Sequence, residues 1–138
     1  TLFRSGTGFC APLQEFMVRK LLVLGYCAIG SNSYEVYESG ALNAGLVIAI
    51  SKSGKTGTIL KQVQDSFAQH RSIIAFVGAD NSPIARCADP AFVLLDDKML
   101  DDRNLTANYF YARVLITFEY LMDLVLEKDE HPNGKEGQ

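Results

Sequence analysis

The sequence predicts an α/β domain: a doubly wound, five-stranded parallel sheet with helices on both faces and a long C-terminal helix. Three observations point there. Short apolar runs alternate with amphipathic segments along the chain. The central run, Leu46-Val47-Ile48-Ala49-Ile50, is apolar at successive positions, as a strand covered on both faces has to be. That run stops at Ser51-Lys52-Ser53-Gly54-Lys55-Thr56, a hydroxyl-rich turn that opens a helix.

The elements follow in order. Leu2 to Arg4 reads as a first strand, and Gly6-Thr7-Gly8 turns the chain into a helix from about Cys10 to Leu24, with Pro12 in its first turn. Tyr26 to Ile29 reads as a second strand. Ser33 to Asn43 has a weak helical pattern, bounded by Gly30-Ser31-Asn32 and by Gly45. After the Leu46–Ile50 strand a helix runs from Gly57 or Thr58 to Gln69. Ile73 to Val77 forms a fourth strand, Ser82 to Cys87 a short helix, and Ala91 to Leu95 a fifth strand. The last helix spans Asn104 to Glu127, with Asp101 and Asp102 as caps. Residues 1–127 make the domain, and 128–138 read as a solvated polar tail without apolar anchors.

Composition excludes several classes. At 138 residues, 48% of them hydrophobic and 21% charged, the chain suits one water-soluble domain with its own core. A net charge of −3 does not suit wrapping nucleic acid, so DNA contact would come from a domain absent from this chain. Cys10, Cys27 and Cys87 are odd in number and form no C-x-x-C pair, which favours reduced, partly buried thiols in a cytoplasmic protein. No signal peptide is visible at Thr1-Leu2-Phe3, which reads as a cut before strand one. Arg113, Glu119 and Asp123 interrupt the apolar stretch from Tyr109 to Leu126, against a membrane span.

The chemistry concentrates where strands end. In a doubly wound sheet, ligands sit outside the carboxyl ends of the strands at a topological switch point. Both Gly6-Thr7-Gly8 and Ser51 to Thr56 lie at such ends. A glycine lets the backbone approach a ligand, and the first N–H groups of a helix point at an anion. Gly54-Lys55-Thr56 is not a nucleotide P-loop, because the glycine required five residues earlier is Ala49. Gly6-Thr7-Gly8-Phe9-Cys10-Ala11 fits G-x-G-x-x-A, but the end of strand two, Ile29-Gly30-Ser31-Asn32-Ser33, carries no acid until Glu35, so a dinucleotide cofactor is not supported. A phosphate cradle built from both loops is the reading that fits. Helix capping alone would need one of the three hydroxyls Ser51, Ser53 and Thr56.

No catalytic set emerges. His70 falls at the end of a surface helix and His131 in the tail; neither meets the loops. Glu35 and Glu38 read as a solvated face. Asp96, Asp97, Asp101 and Asp102 lack an accompanying histidine and read as loop and cap residues rather than metal ligands. No cofactor and no metal are expected. The final helix is apolar almost all round, from Leu105, Tyr109 and Phe110 to Leu124 and Val125. One stripe would suffice on a sheet, so the surplus predicts a second covered face, a homodimer or tetramer contact through 104–127.

Taken together, these pieces resemble a SIS (sugar isomerase) domain. The resemblance rests on Gly6-Thr7-Gly8 after strand one and on Ile50-Ser51-Lys52-Ser53-Gly54-Lys55-Thr56 after strand three. It also rests on Ser82-Pro83-Ile84-Ala85-Arg86-Cys87-Ala88-Asp89, similar to the family's S-P-L-A-x-x-A-D. It implies a flavodoxin-like five-stranded fold that binds a phosphosugar. Ser51, Ser53 and Thr56 would hold the phosphate, with the backbone of Gly54 and Lys55. Gly6, Thr7, Gly8 and Cys10 would form the first-loop contact, and Arg103 and Asn104 would reach the sugar. The chain departs from the pattern at Cys10, where serine is common, at Leu46, where aspartate is frequent, and at Gly78, where strand four often ends in threonine. Without a placed histidine or a first-loop lysine, it looks like the phosphosugar-sensing domain of RpiR-type bacterial regulators, which follows a helix-turn-helix domain. An aldose–ketose isomerase of the same family is the alternative.

Overall fold

The computed structural model describes residues 2–5, 9–30, 45–55, 57–95 and 105–130. In chain order these form β1 (Leu2–Ser5), α1 (Cys10–Val23), β2 (Ile29–Gly30), β3 (Leu46–Ser51), α2 (Gly57–Ala68), β4 (Ser72–Val77), α3 (Pro83–Arg86), β5 (Ala91–Val93) and α4 (Phe110–Glu130). The strands pair in the order β2-β1-β3-β4-β5, each neighbouring pair parallel. This is the α/β architecture with a parallel sheet and a C-terminal helix that the sequence predicts.

Alternation along β3 explains why its run has to be apolar throughout. Ile48 and Ile50 join Leu13, Met17 and Leu21 of α1 and Phe110, Val114 and Phe118 of α4 in one core cluster. Val47 and Ala49 join Ile59 and Val63 of α2, Ile84 of α3, and Ile73, Ala75 and Val77 of β4 in the other. Successive side chains of a strand point to opposite faces, while the helical residues recur every four positions on one stripe. Each aliphatic or aromatic side chain so buried contributes roughly 1.5–3 kcal/mol.

The order reverses between β1 and β3: the chain leaves β1 for β2 on one side and returns to β3 on the other. Ser5 stands opposite Ile50, and Ser51 opposite Val77. The carboxyl ends of β1, β3 and β4 therefore lie side by side, at a topological switch point.

Several boundaries differ from the sequence reading. After α1 the chain turns through Gly25 (φ +93°), with Tyr26 N–H donating to Leu21 O at 2.9 Å and Gly25 N–H to Leu22 O at 3.1 Å. This helix-ending motif takes up Tyr26, assigned above to a strand, and leaves β2 only Ile29 and Gly30. The last helix starts at Phe110, not Asn104. Residues 105–109 are not helical, and Asn108 Oδ1 accepts the Phe110 N–H at 3.3 Å. The helix then continues to Glu130, past the predicted start of the tail. Cys10 is buried, Cys87 half-buried and Cys27 exposed, all three as thiols, so burial extends to two of them only. The weak helix at 33–43, the Asp101–Asp102 caps and residues 131–138 lie outside the described residues. Among the described residues, no helix is long and apolar enough to cross a membrane.

Candidate functional site

Ser51 ends β3 and is 1% exposed. Its hydroxyl oxygen accepts the N–H of Gly54 at 3.0 Å, which closes the loop into a tight turn. Two residues on, Ser53 Oγ accepts the N–H of Lys55 at 3.3 Å. Ser53 is half-buried and Lys55 exposed. The three hydroxyls predicted to act alike are thus not placed alike. Ser51 faces inward and shapes the turn, Ser53 lies nearer solvent, and Thr56 lies outside the described residues.

Gly54 explains why this position has no side chain. Its φ of +71° is left-handed, and a β-carbon there would stand 2.2 Å from Ser82 Oγ and 2.4 Å from Ser82 Cβ. The β4–α3 loop is the back wall of the turn. Gly78 N–H donates to Lys52 O at 2.9 Å, and Ile84 N–H donates to Gly54 O at 3.0 Å. Ser82 caps α3, its Oγ accepting Ala85 N–H at 3.3 Å, and Pro83 occupies the first turn, where its missing N–H costs nothing.

Electrostatically the site suits an anion. Lys52 and Lys55 belong to the loop, and α2 begins at Gly57 with no acidic residue in its first turn. The amino end of that 12-residue helix carries the positive end of its dipole. A serine oxygen that has accepted an N–H keeps its own proton to donate.

The other predicted site residues divide clearly. Cys10 opens α1 and is 5% exposed, packed in the apolar cluster with Leu13, Ile50 and Phe110. Gly6, Thr7, Gly8, Arg103 and Asn104 lie outside the described residues, as do Glu35, Glu38, Asp96, Asp97, Asp101, Asp102 and His131. The pairing of β1 with β3 sets Ser5, the last residue of β1, beside Ile50, one residue before Ser51. His70 stands between α2 and β4, at the amino end of the strand and so across the sheet from these loops. Among the described residues no three metal-ligating side chains converge. Sequence reasoning used Ser82 only as part of a motif and missed Gly78 and Ile84 as supports. The Ser82-Pro83 pair at a helix start was the signal available.

An apolar cavity of about 370 Å³ opens elsewhere, on the α1–α4 side of the sheet. Leu46, Ile48 and Ile74 line its floor, Leu21, Phe118 and Val125 its walls. Its lining does not include the loop residues.

Comparison of the sequence with protein-family models and with curated proteins found no match. Solved structures do match. The NanR protein of Vibrio vulnificus complexed with ManNAc-6P superposes with a TM-score of 0.74 at 18% identity, over 92% of this chain and 48% of that one. Phosphoheptose isomerase from Neisseria gonorrhoeae gives 0.72 at 15% identity, over 92% of this chain and 76% of that one. The sugar isomerase domain of an RpiR transcription factor from Sphaerobacter thermophilus gives 0.58 at 17%, over 94% and 78%. The chain therefore has the sugar isomerase (SIS) fold, and it spans about half of the NanR chain.

Proposed function

We propose that this chain binds a phosphorylated sugar at the loop 51–56 and senses it for a bacterial RpiR-type regulator of sugar metabolism. The observation that carries the reading is the turn itself. Ser51 and Gly54 close it, Ser53 and Lys55 face outward, and α2 starts behind it at the β1/β3 switch point. The NanR chain with this fold is complexed with ManNAc-6P, which supports the ligand class. The phosphate would meet Ser53, Lys55, Thr56 and the amino end of α2, with Gly6, Thr7 and Gly8 across from it and Arg103 and Asn104 at the sugar, while the Cys10 side chain stays in the apolar cluster.

The sensor reading rests on the sequence, in which no histidine and no first-loop lysine is placed at the loops; His70 stands across the sheet from them. Ligand binding would act by differential affinity for one arrangement of a homodimer or tetramer. Exposed Tyr109, Ile116 and Tyr120, at 65%, 69% and 62%, support a subunit contact on and beside α4. DNA contact would belong to a separate domain, and the setting is the cytoplasm.

The test mixes purified protein with hexose and pentose phosphates, ManNAc-6P among them. Binding by calorimetry with no aldose–ketose interconversion supports the sensor. Interconversion assigns the isomerase instead, and no binding removes the phosphosugar reading.

A further inference from the structure

We infer that Ser82 is a positioning residue for the Gly54–Lys55 peptide of the 52–55 loop, the side chain through which the β4–α3 wall sets that peptide's direction. The inference rests on the reading of that loop as the sugar-phosphate seat. A trans peptide is planar, with its C=O and N–H pointing in opposite directions. The carbonyl of Lys52 shares a peptide with the N–H of Ser53, and the carbonyl of Gly54 with the N–H of Lys55. Both carbonyls are held by the wall, Lys52 O by Gly78 N–H at 2.9 Å and Gly54 O by Ile84 N–H at 3.0 Å. These two carbonyls, which would repel an anion, are thereby turned inward. The N–H groups of Ser53 and Lys55 are turned away from the wall, that of Lys55 towards Ser53 Oγ at 3.3 Å.

Ser82 connects the two parts. It is 6% exposed and sits against the Cα of Gly54, so closely that a β-carbon on Gly54 would meet its hydroxyl. Its Oγ accepts Ala85 N–H and so orders the first turn of α3, the turn that supplies Ile84 N–H. One side chain therefore both packs the glycine and aligns the donor to that glycine's carbonyl.

The experiment compares wild type, Ser82→Ala, Gly54→Ala and Gly54→Ala/Ser82→Gly, by calorimetry with hexose 6-phosphates including ManNAc-6P and by residue-resolved amide exchange. Ser82→Ala keeps the contact with Gly54 but loses the cap; exchange at Ile84 should accelerate about tenfold and affinity fall severalfold. Gly54→Ala should lose at least about tenfold in affinity, and Ser82→Gly in that background should recover part of it. Unchanged Ile84 exchange in Ser82→Ala, or additive losses in the double variant, overturns the inference. If wild type binds no phosphosugar, the seat is wrong, and the positioning role is judged separately by Ile84 exchange and by whether Ser82→Gly restores the unfolding midpoint of Gly54→Ala.

Discussion

The hydroxyl oxygen of Ser51 accepts the backbone N–H of Gly54 at 3.0 Å inside the protein, whereas Ser53 makes the corresponding bond to Lys55 nearer the surface. The two serines should therefore fail differently. Ser51→Ala strands a buried donor and should cost about 1–3 kcal/mol of stability. Ser53→Ala should change stability by less than about 0.5 kcal/mol. Its cost should appear in phosphosugar affinity, about tenfold or more, because a bond to a charged ligand is worth roughly 1.5–3 kcal/mol. Urea melts and calorimetry on both variants check the split, and equal affinity for Ser53→Ala and wild type would place the seat elsewhere.

Two helices end on left-handed residues of different suitability. Gly25 (φ +93°) follows α1, and His70 (φ 58°) follows α2, with Arg71 N–H returning to Ser66 O at 3.1 Å. A left-handed residue with a β-carbon costs roughly 1–2 kcal/mol, so His70→Gly should stabilise by about 1 kcal/mol after the entropy of glycine is counted. Gly25→Ala meets no atom within 4 Å and should destabilise through backbone strain alone, by about 1 kcal/mol. Denaturant midpoints moving in opposite directions for the two variants are the expected result.

How much was legible in advance follows from which physical signals are local. The β3 run and its hydroxyl turn were readable because a strand covered on both faces has no polar residue until it ends. The start of α4 is hidden in the sequence because Leu105 and Tyr109 continue the apolar pattern while lying exposed outside the helix. The aromatic ring of Tyr26 suits a strand, while Gly25 before it is the sign of a helix end. The wall behind Gly54 was not legible. It depends on β3 and β4 being neighbours, and no pattern within either segment reveals that Gly78 and Ile84 donate to a loop more than twenty residues earlier.

Tyr26 donates its phenol proton to Asp129 of α4. That hydrogen bond, followed by desolvation and the carboxylate's charge, raises the phenol above its ordinary value of 10.0. Ionising Tyr26 would remove the donor and set two anions together. The contribution to stability is therefore complete below pH 10.0 and is lost as pH rises through the raised value in the folded state. NMR titration of labelled tyrosine should show Tyr26 ionising later than free tyrosine, and Asp129→Ala should bring it back down.

Ile116 and Phe118 are two residues apart on α4, yet the first is 69% exposed and the second 0%. Truncating Phe118 removes a ring from the cluster that joins α1, the sheet and α4, and Phe118→Ala should cost about 3–5 kcal/mol. Ile116→Asp removes no contact of that core, so the monomer should keep its unfolding midpoint within about 0.5 kcal/mol. If the exposed side of α4 is a subunit contact, a charge at its apolar surface is desolvated on association and should shift the protein to smaller species. Sedimentation of Ile116→Asp beside Tyr120→Asp reads this directly. An assembly state unchanged in both variants would remove this side of α4 as the interface, and a lost midpoint would mean that Ile116 supports the core instead.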